Sequence, residues 1–117
     1  MRPSCEVVSR YILPVFRSMV ARNMMSKYKL SQSEVASKLG VTQAAISHYL
    51  KSKRGAKMAS ELERMPDVRA AVARISEELM HKDSEDDPVF DEFCSLCKII
   101  RRDASFWERM EEILNNR

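Results

Sequence analysis

The chain has 117 residues, of which 44% are hydrophobic and 32% are charged, a composition typical of a folded globular protein. Its length suffices for one hydrophobic core, and no apolar stretch reaches the roughly 18 residues that a membrane-spanning helix needs. With only two glycines and four prolines, the sequence predicts an all-α protein. The charged N-terminus lacks the apolar run of a signal peptide, which predicts a cytoplasmic location.

Charge is divided unequally between the two halves of the chain. Residues 1–58 contain eleven Lys and Arg against two acids, Glu6 and Glu34, and carry a net charge of +9. Residues 59–117 contain nine Lys and Arg against fifteen acids and carry a net charge of −6. The first half is therefore suited to approach a polyanion, and the second half is not.

Apolar residues at helical spacing predict a first helix from Ser4, a suitable N-cap, to about Tyr28. Pro14 lies inside this pattern, and a proline cannot donate the expected backbone hydrogen bond or fit against the preceding turn. We therefore expect a kink, or a short arm helix followed by a longer helix from about Pro14.

Two short helices with a tight turn between them are predicted over residues 32–51. Ser31 and Glu34 form the pattern of a capping box, and Thr42 is placed to cap the second helix. Gly40 can adopt the left-handed conformation that the turn requires. Small or apolar residues are expected to hold the helices together, namely Val35, Ala36, Leu39, Val41, Ala45, Ile46, Tyr49 and Leu50. This pattern predicts a helix-turn-helix.

Further helices are predicted in the rest of the chain. A loop over residues 52–55 is expected to lead into a short helix from Ala56, and Pro66 begins another that ends near Met80. Residues 81–87 are expected to form a polar linker in which Asp87 can cap a helix that starts at Pro88. The apolar stripe of that helix is expected to be Phe90, Phe93, Cys94, Cys97 and Ile100, and a last helix covers residues 104–115.

These elements predict two units. Residues 1–81 are expected to form a five-helix DNA-binding domain with an N-terminal helical arm, and residues 88–117 an additional helical pair for dimerisation or sensing. The pair carries more aromatic surface than two isolated helices can bury, from Phe90, Phe93, Phe106 and Trp107. It is expected to pack on the first domain or on a second copy, and the kinked N-terminal segment is the competing dimer interface.

The segment LSQSEVASKLGVTQAAISHYLKSKRG resembles the helix-turn-helix of phage-repressor and Cro-type (Xre) regulators. It has their glutamine at the start of each motif helix, Gln32 and Gln43, and their A-x-x-L-G-V turn. The opening MRPSCE and the later FCSLCK also resemble short archaeal members of this family. The resemblance implies a repressor-like domain that binds duplex DNA as a symmetric dimer, with half-sites about one helical turn apart.

Side chains that point outward from the second motif helix are expected to contact base edges in the major groove. The base-reading candidates are Gln43, whose amide can pair with adenine, and Ala44, Ser47 and His48. Contacts to the DNA backbone are predicted for Thr42, Lys51, Lys53, Arg54 and Lys57. The resemblance also places Gln32 on a phosphate. The expected function is a sequence-specific transcriptional regulator, with an effector that the sequence does not identify.

Three cysteines, Cys5, Cys94 and Cys97, leave three interpretations open. Cys94 and Cys97 can continue the apolar stripe of their helix as buried thiols, in which case no cofactor is present. With Cys5 and a fourth ligand such as His81, they can instead hold zinc or an iron–sulfur cluster. A redox pair is the third interpretation, although thiols of low pKa usually lie at a helix N-terminus and not in its middle.

Two other functional classes compete with DNA binding. The sequence has no glycine-rich phosphate loop and no nucleophile–base grouping of familiar spacing, so catalysis is not expected. Helix-turn-helix bundles also serve as protein-interaction adaptors, and an antitoxin would bind both DNA and a toxin. The basic first half favours a phosphate backbone over a protein partner, and no membrane association is expected.

Overall fold

A computed structural model describes residues 4–81 and 88–115, and within these ranges the chain forms eight α-helices and no strand. The helices are α1 (Cys5–Tyr11), α2 (Leu13–Tyr28), α3 (Gln32–Leu39), α4 (Gln43–Lys51), α5 (Lys53–Leu62), α6 (Pro66–His81), α7 (Pro88–Arg102) and α8 (Ala104–Asn115). The all-α prediction is confirmed. The predicted linker 81–87 begins one residue too early, because His81 is the last residue of α6. The rest of that linker, including the cap Asp87, lies outside the described residues. No helix in the described ranges is long and apolar enough to cross a membrane.

Pro14 divides the first helical segment, as predicted. α1 ends at Tyr11, and α2 begins at Leu13 with Pro14 in its first turn, where a missing N–H costs no helical hydrogen bond. Ser4 caps α1, because its Oγ accepts a hydrogen bond from the Val7 N–H at 3.2 Å. The arm is therefore a separate short helix packed against α2.

α2 is the central helix of the fold and contacts α1 and every helix from α3 to α7. Its buried residues lie all around its circumference and are Leu13, Val15, Phe16, Ser18, Met19, Val20, Ala21 and Met24. Asn23 donates a hydrogen bond to Ser76 Oγ of α6 at 2.8 Å, which ties these two long helices together. The helix-turn-helix is thus mounted on a helix that the rest of the molecule encloses.

The C-terminal pair packs on the rest of the same chain. Phe93 of α7 lies against Phe16 of α2 with ring centroids 5.8 Å apart, and Phe106 of α8 is fully buried. α8 packs on α5, where Arg109 and Glu61 form an ion pair, and α7 packs on α6 and α1. One continuous core includes residues from both predicted units. Of the two expected packing partners for the pair, the first domain is the one observed.

The predicted stripe of α7 is wrong at two positions, because Phe90 and Cys94 are exposed. The residues that face the core are Val89, Phe93, Leu96, Cys97 and Ile100. The sequence of α7 contains two overlapping stripes at helical spacing, one through Phe90 and Cys94 and one through Val89 and Phe93. The second stripe contains the greater aliphatic volume, so burying it removes more apolar surface from water.

Candidate nucleic-acid interface

Local hydrogen bonds determine where α3 begins. Ser31 Oγ accepts from the Glu34 N–H at 3.1 Å, and the Glu34 carboxylate accepts from the Ser31 N–H at 3.1 Å. This is the predicted capping box, and it places Gln32 at the first position of α3. The hydrogen bonds from the Ser31 backbone and side chain lower the pKa of Glu34. The one acid in α3 and α4 is therefore ionised and used in a cap.

The turn between α3 and α4 has the predicted conformation. Gly40 adopts φ +69°, and the Val41 N–H donates to the Ala36 carbonyl at 3.0 Å, which closes the end of α3. Thr42 then caps α4, since its Oγ1 accepts from the Ala45 N–H at 3.0 Å. Thr42 is thus exposed and held at the start of α4.

One face of α4 is buried and the opposite face is exposed. Ile46 is fully buried, and its neighbours Ala45, Tyr49 and Leu50 are half-buried. At about 100° of rotation per residue, five other side chains of α4 fall within an arc of about 140°. Four of them are exposed and Ser47 is half-buried; the five are Gln43, Ala44, Ser47, His48 and Lys51. The structure brings all four predicted base-reading residues together on this outward face.

Lys53 and Arg54 lie on a helix, which corrects the prediction of a loop over residues 52–55. Ser52 Oγ accepts from the Gly55 N–H at 3.0 Å, so α5 begins at Lys53 and not near Ala56. A Cβ at Gly55 would lie 3.0 Å from Ser52 Oγ, so glycine leaves room for this cap. In the sequence, Ser52 could have been recognised as the N-cap of α5. The basic residues that follow it were instead assigned to a loop.

Four predicted backbone contacts are exposed near the junction of α4 and α5, namely Lys51, Lys53, Arg54 and Lys57. The first turn of α5 has no acid and two cations, Lys53 and Arg54. Cations at a helix N-terminus are unfavourable because the helix dipole is positive there. A bound anion would offset this repulsion, which makes the turn suited to a phosphate.

Arg22 has a positioning role that sequence analysis missed. Its Nη2 donates to the Leu50 carbonyl at 2.9 Å, although the two residues are 28 positions apart. Leu50 lies in the last turn of α4, where carbonyls have no partner within the helix. Arg22 therefore anchors the C-terminal end of α4 to α2. No local spacing in the sequence signals such a contact.

The three cysteines differ in solvent exposure. Cys97 is buried, as expected of a residue on the core face, whereas Cys94 and Cys5 are exposed. Burial raises the pKa of Cys97 to about 11. In the part of the chain that the structure describes, no three His, Cys, Asp or Glu side chains are grouped so that they could hold a metal ion.

An exposed helix face of this kind, held by a capped turn and flanked by cations, is typical of a DNA-binding helix-turn-helix. Residues 21–71 match the model of the family described as Helix-turn-helix (HTH_3). Residues 21–71 therefore form an Xre/Cro-type helix-turn-helix, and the resemblance of residues 30–55 is confirmed. The match extends from within α2 to within α6. Comparisons with curated proteins and with solved structures gave no match.

Proposed function

We propose that this protein is a sequence-specific transcriptional regulator that binds duplex DNA as a homodimer and inserts α4 into the major groove. The supporting observation is the outward face of α4, where side chains able to contact base edges lie opposite the buried Ile46. A major groove about 12 Å wide admits an α-helix. Because α4 is held at both ends, by the Thr42 cap and by Arg22, it can present this face without rearrangement.

Four residues are assigned to the bases. Gln43 is exposed in the first turn of α4, the part of a recognition helix that contacts base edges, and its amide can form two hydrogen bonds with adenine. Ala44 is adjacent and can contact a thymine methyl group. Ser47 and His48 lie one turn further along and extend the contact along the groove.

Six residues are assigned to the DNA backbone. Gln32 and Thr42 lie at the N-terminal ends of α3 and α4, where backbone N–H groups and the helix dipole favour a phosphate. The other four are the exposed cations Lys51, Lys53, Arg54 and Lys57. These contacts supply affinity and register, and they carry no sequence information.

A second copy is proposed to pack on the side formed by α1 and α7. The large apolar side chains that are exposed within the described ranges are Val7, Tyr11, Phe90 and Ile99. Val7, Tyr11 and Phe90 are assigned to this side, because Phe90 lies on the flank of α7 whose Cys97 contacts Cys5 of α1. Ile99 lies about 180° around α7 from Phe90 and is not part of this side. Val7 and Tyr11 are one turn apart on α1, so they form a continuous apolar strip. A Tyr11→Glu variant should shift the protein toward monomer in sedimentation velocity, and Ala70→Glu, at an exposed position of α6 outside the proposed interface, is the matched control.

The proposal is tested by selecting genomic duplex fragments on the purified full chain under reducing conditions and sequencing those that remain bound. The expected result is a shared palindromic site. Gln43→Ala should then weaken binding to that site by about 1–3 kcal/mol for each adenine that the amide no longer pairs with, and binding to scrambled DNA should change little. Salt-sensitive binding without enrichment would overturn sequence specificity, and no binding at all would favour the adaptor alternative.

A further inference from the structure

Two thiols from opposite ends of the sequence lie together in the fold. Cys5, in the first turn of α1, and Cys97, in α7, are 92 residues apart, and their Sγ atoms are 3.6 Å apart. A disulfide has an S–S distance of about 2.05 Å, so the sulfurs need to approach by about 1.5 Å to form the bond. Cys97 therefore contacts a thiol from the other end of the chain, besides having Cys94 three residues before it in the same helix.

We propose that Cys5 and Cys97 form a thiol-oxidation site, which a peroxide converts to an intramolecular disulfide that joins the N-terminal arm to the C-terminal helical pair. Cys5 is exposed, so a small oxidant can reach it, whereas Cys97 is buried beside it. The inference does not depend on the proposed DNA recognition.

The order of the two chemical steps follows from this difference in exposure. The Cys5 thiolate attacks one peroxide oxygen and breaks the O–O bond, which gives a sulfenic acid on Cys5 and, after protonation of the leaving oxygen, one water. The Cys97 sulfur then attacks the Cys5 sulfur and breaks the S–O bond, and the departing oxygen takes the Cys97 proton and leaves as a second water. Two thiols are oxidised by two electrons, and the peroxide is reduced to two waters.

The buried position of Cys97 supports its role as the second thiol. Only the thiolate is an effective nucleophile toward peroxide. Burial, the hydrogen bond to Cys5 and the Cys5 charge raise the pKa of Cys97 to about 11, so this thiol is protonated near pH 7. Cys97 therefore does not react first, and its contact with Cys5 lets it capture a sulfenic acid before further oxidation.

Closing the bond would place all helices from α2 to α6 inside one covalent loop. A loop of this length restricts the unfolded chain strongly, and the expected rise in Tm is about 10 °C or more. The bond would also prevent α1 from separating from α7. Oxidation should therefore stabilise the chain reversibly, and a dithiol reductant should remove the effect.

The test compares wild type with Cys5→Ser, Cys97→Ser and Cys94→Ser, each reduced and then titrated with hydrogen peroxide at neutral pH. Remaining thiols are alkylated, intact masses are recorded, and peptides are mapped without reduction. Wild type should retain one alkylated thiol, Cys94→Ser should retain none, and both should give a Cys5–Cys97 linked peptide. Both should also gain thermal stability that reductant reverses. Cys5→Ser and Cys97→Ser should gain neither the link nor the stability.

Three outcomes would overturn the proposal. A predominant Cys94–Cys97 peptide would show that the C-x-x-C pair is the oxidised one. Links between chains, or oxidation of Cys5 to a sulfinic acid without a bond, would show that Cys97 does not capture the sulfenic acid. Zinc or iron in the purified protein that is absent from Cys5→Ser and Cys97→Ser alike would make the thiols metal ligands instead.

Discussion

Removing the two cations at the start of α5 should change DNA binding and folding stability in opposite directions. Lys53 and Arg54 are exposed, and the Ser52 cap that starts α5 does not use their side chains, so Lys53→Gln/Arg54→Gln should leave α5 intact. The helix dipole is positive where these cations lie, and their removal should stabilise the free protein by about 0.3–1 kcal/mol for each charge at low salt. DNA affinity should fall, because each protomer would then neutralise two fewer phosphates.

The lost phosphate contacts should change how strongly DNA affinity depends on salt concentration. For duplex DNA the slope of log K against log salt is about −0.9 for each phosphate neutralised, so a dimer that neutralises four fewer phosphates should have a slope less steep by about 3.6. Between 50 and 200 mM salt, wild-type affinity should therefore fall by about two more decades than that of the double variant. A single bound protomer would give a change of only about 1.8, so the same experiment reports the number of copies on the DNA.

Fluorescence anisotropy on the selected site and on a scrambled duplex, across this salt range, measures both slopes. Lys98→Gln removes an exposed cation of α7 and is the matched control. The slope should flatten equally on both duplexes, because phosphate contacts do not depend on sequence. An unchanged slope in the double variant would refute the assignment of Lys53 and Arg54 to phosphates, whatever the selected site is.

Three further predictions concern stability. Ile46→Ala, at a fully buried position, should lower the free energy of unfolding by about 2–5 kcal/mol in urea titration, and a decrease under about 1 kcal/mol would contradict tight packing of α4. Gly40→Ala should lower the free energy of unfolding by about 1–2 kcal/mol, because the φ of +69° is unfavourable for alanine. A steric clash does not contribute, since a Cβ there meets nothing within 4 Å, and Gly40→Asn should lower the stability by less. The Phe106 N–H, which donates to the Asp103 carboxylate at 3.0 Å, lowers the pKa of Asp103 below its ordinary value of 3.8. Ionised Asp103 therefore stabilises the fold above pH 3.8, and this contribution is lost as pH falls through the lower pKa of the folded state. Asp103→Ala should lower the free energy of unfolding by about 1 kcal/mol at pH 7 and by less in acid. Asp103→Asn, which keeps the cap but does not titrate, is the control. A loss of stability that does not vary with pH would contradict the charge contribution.

The parts of the fold that depend on near neighbours are the parts that the sequence predicts correctly. The capping box of Ser31, the left-handed turn at Gly40 and the Thr42 cap each involve hydrogen bonds over a few residues, so the residue types specify them directly. For the same reason the sequence predicted the break before α2 and the outward face of α4. The start of α5 was predicted wrongly, because the run of basic residues after Ser52 is also typical of an exposed loop.

Packing between distant parts of the chain selects which of two possible faces α7 buries, which carbonyl Arg22 caps, and which thiol lies against Cys97. Each of these depends on residues brought together from distant parts of the chain: Phe16 with Phe93, Arg22 with Leu50, Cys5 with Cys97. Helical periodicity limits the faces that a helix can bury, but it does not choose between overlapping stripes. That choice is made by the total apolar surface that the helices of the described ranges remove from water together, and no single segment determines this total.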